Sequence, residues 1–238
     1  MRSSLVLSMA AAVLLMSLIP TTGMAQAGTR SDISGLWVGA GNAGNTPNLE
    51  RLPGELPFTD YGLERYLNFD HALNNGARCL PLGPTRTWQV NYPFRIVQTH
   101  ELVMIVYELR RTFRIIYTDG REHPDIIFDY PEWMGHSVGA YEEGTLVFET
   151  VGINPRTDID NAGHEHSGQL RLVERIRKTE QGTLDWAVTI EDPEFYTEPF
   201  TLRKTFDPVE NDRVMDYTCT ENEKDVGHLV PGVAVGPQ

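Results

Sequence analysis

From Phe94 onward the chain is a succession of short β-branched and aromatic runs separated by turn signals, and this pattern restricts the fold more than any other feature. The runs are 94–98, 102–108, 111–118, 137–141, 145–151, 169–177, 183–190, 199–206 and 213–219. Between them stand Thr99-His100-Glu101, Asp119-Gly120, Glu142-Glu143-Gly144, Glu180-Gln181-Gly182 and Asp207-Pro208, residues that favour tight turns. In 183–190, Leu184, Trp186, Val188 and Ile190 alternate with Thr183, Asp185, Ala187 and Thr189, which is the period of a strand buried on one face. Regular spacing without intervening helices predicts an all-β antiparallel barrel, with a β-sandwich as the alternative.

The segment upstream supplies little regular structure. Thr59 is a candidate cap for a helix over 60–71, in which Tyr61, Leu63, Tyr66, Leu67 and Phe69 form an uneven apolar face. Residues 39–57 are rich in Gly, Asn and Pro and read as a long loop. Residues 78–84 read as a rigid, turn-rich segment lying over one end of the sheet as a lid or a plug. At the start of the chain, Arg2 precedes a nearly unbroken apolar run over 5–19, and Ala25-Gln26-Ala27 has the small-x-small form of a signal peptidase site. Residues 1–27 therefore read as a secretory signal peptide, and 28–238 as a single domain working in the periplasm or outside the cell. In such a compartment Cys79 and Cys219 are expected to form a disulfide, worth about 4 to 5 kcal/mol on the chain-entropy model.

Charge narrows the range of partners. The formal net charge is -13, and removing residues 1–27 takes away Arg2 and no acid, giving -14. An acidic chain without a basic run lacks the cations that neutralise phosphates, so neither nucleic acid nor an anionic membrane surface is expected. No cysteine at the cleavage site suggests a lipid anchor. The sequence leaves the oligomeric state open.

The chemistry-bearing residues concentrate in 131–169, which holds His136, His164 and His166, three of the seven histidines, together with Asp158 and Asp160. Imidazole titrates near neutral pH, and a carboxylate on one ring nitrogen fixes which nitrogen carries the proton. Asp160 is the expected orienting carboxylate, and His136 and His166 the expected proton-transfer groups. His136, His164 and His166 also form an alternative zinc set, although HxH spacing lacks the helical HExxH frame. The string 163–167 reads equally as a polar loop whose histidines bond to backbone. An arginine falls on each face of 111–118, and Arg114 is either an anion-binding group inside the barrel or a rim residue paired with an acid. Tyr117, His123, Trp133 and His164 complete the expected substrate-binding set, with Trp133 as an aromatic wall beside His136. There is no Gly-x-Ser-x-Gly elbow, phosphate loop or dinucleotide fingerprint.

Two resemblances add to this reading. Gly35-Leu36-Trp37 at the head of a first strand resembles the opening of lipocalin-like (calycin) barrels, in which the tryptophan closes one end. The strings 114–124, Trp133-Met134-Gly135-His136-Ser137 and Asn161-Ala162-Gly163-His164-Glu165-His166-Ser167 resemble a family of secreted bacterial β proteins, a likeness that spans the mature chain but brings no reaction with it. The expectation is a lipocalin-like barrel with one short helix and long loops. It would run cofactor-independent His/Asp acid–base chemistry of lyase, decarboxylase or isomerase type on an apolar or aromatic small molecule. A non-catalytic carrier of a hydrophobic ligand and a zinc-dependent enzyme are the alternatives.

Overall fold

The computed structural model describes residues 30–40, 50–51 and 56–219. The expected signal peptide, the mature start at Gly28, most of the 39–57 loop and the tail beyond Lys224 lie outside these residues. In chain order the elements are β1 (Gly35–Gly39), β2 (Glu50–Arg51), α1 (Asp60–Leu67), α2 (Pro84–Gln89), β3 (Phe94–Gln98), β4 (Leu102–Tyr107), β5 (Phe113–Tyr117), α3 (Ile126–Asp129), β6 (His136–Glu142), β7 (Thr145–Val151), β8 (Arg171–Lys178), β9 (Leu184–Glu191) and β10 (Phe200–Pro208). Thr59 caps α1 as its position suggests, accepting from the Gly62 amide at 3.0 Å.

The strands run β1-β3-β4-β5-β6-β7-β8-β9-β10, and β1 also pairs with β10, closing a nine-stranded barrel among the described residues. Trp37 opposite Pro208 marks the seam. The two-residue β2 adds to β10 beside that seam. All neighbours are antiparallel except β5 and β6, which pair in parallel at Ile116–Ser137 and Tyr117–Val138. The wholly antiparallel expectation therefore needs correction at one joint. The cause is the connection: 118–135 is far longer than a hairpin turn, so the chain crosses from one rim to the other and re-enters in the same direction.

Alternation along each strand fills the interior. Val103, Ile105 and Tyr107 point inward from β4, Leu146 and Phe148 from β7, and Leu184, Trp186, Val188 and Ile190 from β9, all buried. Trp37 joins this core, its Nε1 donating to the Ile33 carbonyl. Each such side chain contributes roughly 1.5 to 3 kcal/mol of burial.

Two features of the interior were not expected. The first is α2, which lies in the stretch 78–91 and has all six residues buried. Its Trp88 enters the barrel, stacking on Trp186 at 5.4 Å and meeting Phe94 edge-on at 4.8 Å. Lys204 reaches across from β10 to the end of this helix, donating to the Gln89 carbonyl and to Asn91 Oδ1, each at 2.8 Å. The second is a buried ion pair. Arg114 lies inside the wall, bonded to Glu174, and Glu174 also accepts from Trp186 Nε1 at 2.9 Å. Ser137 Oγ accepts from its Nε and Thr150 Oγ1 from its Nη2. Arg114 is thus neither a rim residue nor an anion receptor; its charge is met by an internal carboxylate.

Cys79 and Cys219 form the expected disulfide, bridging the approach to α2 and the chain after β10. Residues 213–219, expected as a last strand, form no strand. Once β10 has paired with β9, β1 and β2, no ladder edge is left there to receive them. Among the described residues no helix is long and apolar enough to cross a membrane.

Candidate functional site

Apart from Arg114 in the interior and Trp133, the residues singled out in the sequence fall into two clusters with different partners. Ser137 points inward to Arg114, so His136, its neighbour on β6, points outward. On that outer face the crossover folds His123 back against it, and the two Nδ1 atoms lie 2.8 Å apart. Tyr117, outward-facing on β5 because Ile116 is buried, stacks on the His136 ring at 5.3 Å, with planes 26° apart. The parallel joint makes this contact, because it sets Tyr117 beside Val138, two residues beyond His136. Arg121 lies 3.8 Å from the Tyr117 ring centroid.

Behind His123 stands a residue the sequence did not single out. Glu149 is opposite Val138 on β7, and its Oε1 faces His123 Nε2 at 3.5 Å, within ion-pair range though long for a hydrogen bond. Arg171 bonds the other Glu149 oxygen and bridges to Glu191 at 2.8 Å. The available signal was alternation: Leu146, Phe148 and Thr150 face inward, which puts Glu149 on the outer face with His136.

The proton positions follow from the partners. Only one of two facing Nδ1 atoms can carry a hydrogen while the pair is neutral. His123 Nε2 is buried without a hydrogen-bond partner, with Glu149 Oε1 3.5 Å away; a hydrogen there would leave His123 Nδ1 as acceptor, His136 Nδ1–H as donor and His136 Nε2 as the basic nitrogen. Burial is the first cause that lowers the pKa of both rings below the ordinary imidazole value; His123 and Arg121 lower His136 further, while Glu149 acts in the opposite sense on His123. Both rings are therefore neutral at pH 7.

The second cluster lies at the rim where β7 leads to β8. Asp160 is bonded to His164, Nδ1 to Oδ2 at 2.8 Å, and not to His136 or His166. The His164 ring is covered by Tyr66 of α1, stacked at 4.5 Å, and by Phe58 at 5.7 Å. His166 is 3% exposed with both nitrogens engaged, Nδ1 by the Ser167 carbonyl and Nε2 by Thr157 Oγ1. With neither nitrogen left for a substrate, His166 serves as a pin for the loop, and burial keeps it neutral by lowering its pKa. Nearby Asp158 pairs with Arg86 of α2 at 3.1 Å. Burial outweighs that attraction, pushing Asp158 up to about 6 and Arg86 below its ordinary value.

Trp133 belongs to neither cluster by the contacts it makes; its ring lies under the Arg156 guanidinium, 4.6 Å away. His136 meets His123 and Tyr117, whereas His164 and His166 bond Asp160, Thr157 and Ser167, so the three imidazoles of the alternative zinc set do not come together. Among the described residues no three His, Cys, Asp or Glu side chains are grouped to hold a metal ion. A cleft of about 460 Å³ opens at the other rim, lined by Arg30, Asp32, Ser34, Gln98 and His100 among others, and contains none of the expected site residues.

The fold and site define a closed β-barrel bearing a half-exposed Glu–His–His chain on its outer wall. No family model matches the chain, and no curated protein matches its sequence.

Proposed function

We propose that this protein is an enzyme of lyase or isomerase type, acting outside the cytoplasm, that moves a proton on a small, largely apolar molecule with His136 as the acid–base group. The observation that carries the reading is the 2.8 Å contact between the two Nδ1 atoms with Glu149 behind it. His136 Nε2 would take the proton, its Nδ1–H would hold to His123, and Glu149 would steady the resulting positive charge through His123 Nε2–H. This differs from the expectation in one part: His123 and Glu149 take the orienting role assigned to Asp160. Tyr117 would hold the imidazole plane and present the aromatic wall once assigned to Trp133. The signal-like start and the disulfide support the location. Side chains and Trp88 occupy the interior, so the internal cavity on which both the enzyme and the carrier expectations relied is absent among the described residues, and the relay proposed here lies on the outer wall instead.

The test is the pH dependence of kcat/KM on a substrate found by mass-spectrometric screening of neutral hydroxy, keto and ester compounds. The base works deprotonated and its pKa is lowered, so the rate should rise with pH along one acid limb centred below 6.5 and level off above it. Glu149 favours the protonated relay, so Glu149→Gln should move that limb to lower pH and reduce the plateau about tenfold. A profile without the limb, or one that Glu149→Gln leaves in place, would refute the relay.

A further inference from the structure

On β9 and β10 the outward positions are mostly polar, among them Asp185, Thr189 and Glu191, Arg203 and Asp207, as a sheet with one face in water requires. The stretch β3–β5 departs from this. Val103, Ile105 and Tyr107 of β4 fill the core, so Leu102, Met104 and Val106 point outward, and all three are half-buried. β4 thus carries no polar side chain on its outer face. The neighbouring strands continue the apolar surface in register: Met104 lies opposite Val97 on β3 and Ile115 on β5, Val106 opposite Phe113, and Leu102 opposite Tyr117. Directly opposed side chains have Cβ atoms about 4.5 to 5.5 Å apart, so these pairs form one contiguous face. Val97 is 43% exposed and Phe113 58%.

His136 closes one row of this face. Ser137 pairs with Ile116 and Val138 with Tyr117, which brings His136 level with Ile115, and the Tyr117 ring stacks on its imidazole. Val97, Met104, Ile115 and His136 therefore stand side by side on four adjacent strands. At about 4.8 Å per strand that row is about 14 Å long. With three rows about 7 Å apart, the face measures on the order of 200 Å², about a quarter of what one side of a stable protein interface buries. That size suits a small molecule and falls short of a protein partner or a second copy. An apolar row that ends in an imidazole also selects a shape: an apolar body laid along the row, with a polar end at the ring.

We propose that the outer face of β3–β5 binds the apolar body of the relay's substrate, a molecule with an extended alkyl or fused-ring part about 14 Å long whose polar head lies at His136. The substrate class rests on the relay reading, whereas the binding face does not. A proton leaving a C–H or O–H bond of the head passes to His136 Nε2 and returns to another atom of the same molecule, so no second reactant is consumed. The apolar body supplies the binding, and its length fixes which atom reaches the ring.

The experiment is titration of the full chain, labelled with ¹³C at its methyl groups, with the 1-alkanols from butanol to dodecanol, followed by methyl NMR. Shifts should appear at Val97, Leu102, Met104 and Ile115. Affinity should rise about twofold per added CH2, the gain expected when roughly half of each methylene is covered, and level off beyond decanol as the chain overhangs the row. The double variant Met104→Thr/Ile115→Thr keeps residues suited to a strand and should weaken decanol about tenfold with little change in Tm. Shifts at other methyls instead, affinity that ignores chain length, or decanol binding that survives the double variant would overturn the proposal. A concentration-dependent dimer that the double variant abolishes would also overturn it, because a second copy would then cover the face. His136→Gln should keep the decanol affinity; full turnover by that variant would remove the relay and leave the binding face standing, and lost turnover with no alkanol bound at the face would do the reverse.

Discussion

Turnover by the His136→Gln variant should fall about 100- to 10,000-fold, the range supplied by a positioned general acid or base. The ring is half-buried on the outer wall and carries no core packing, so the Tm should stay close to that of the parent. Gln keeps a donor near His123 Nδ1 but has no nitrogen of suitable basicity, so the loss should appear in kcat more than in KM. His166→Gln should behave in the opposite way. It breaks bonds to the Ser167 carbonyl and Thr157 inside a buried loop, and its effect should be on stability. Steady-state kinetics with parallel thermal melts separates the two outcomes. Loss of turnover in a well-folded His166→Gln, with His136→Gln active, would move the chemistry to the other cluster.

Glu174→Ala should destabilise the fold by about 3 to 5 kcal/mol, because it leaves Arg114 charged and unpaired where it is 1% exposed. Trp186 Nε1 would lose its acceptor in the same step. For a chain of this size that corresponds to a Tm lower by roughly 6 to 20 °C. Replacing both charges, as Arg114→Met/Glu174→Leu, should recover most of the loss, since a buried ion pair is costly to break and cheap to exchange for apolar groups of similar volume. Denaturant unfolding of the three variants gives the comparison. A Glu174→Ala protein within about 1 kcal/mol of the parent would mean that the pair is not held as described.

Much of the barrel was readable because alternation is a local property. The run 145–151 and the element β7 share their bounds, as do 94–98 and β3, and Leu184, Trp186, Val188 and Ile190 face the core as their period requires. What failed depended on contacts far apart in the chain. The run 213–219 has strand-like residues, but seam closure decides whether a partner exists for it. The helix α2 is six residues long, too short for helical periodicity to show, and its polar Thr85, Arg86, Thr87 and Gln89 conceal a segment that is wholly buried. Its readable sign was Gly83-Pro84, a proline at the first helical position.

The site followed the same division. His123 and His136 were both singled out, yet their contact needs β5 and β6 to pair in parallel, which spacing alone does not reveal. Asp160 was expected to orient His136 or His166 and instead bonds His164, the nearest of the three in the chain, because the loop turns back so that the Ile159 amide meets the His164 carbonyl. Arg114 could be assigned to either face, and only the register with Glu174, Ser137 and Thr150 decides that it faces the core.

The relay itself can be tested without a substrate, by ¹⁵N NMR of the histidine rings at pH 7. The account predicts opposite tautomers, with the hydrogen on Nδ1 of His136 and on Nε2 of His123, and an Nδ1–H signal from His136 that His123→Gln removes. Two rings both protonated at Nε2, each titrating independently at the ordinary imidazole pKa, would contradict it.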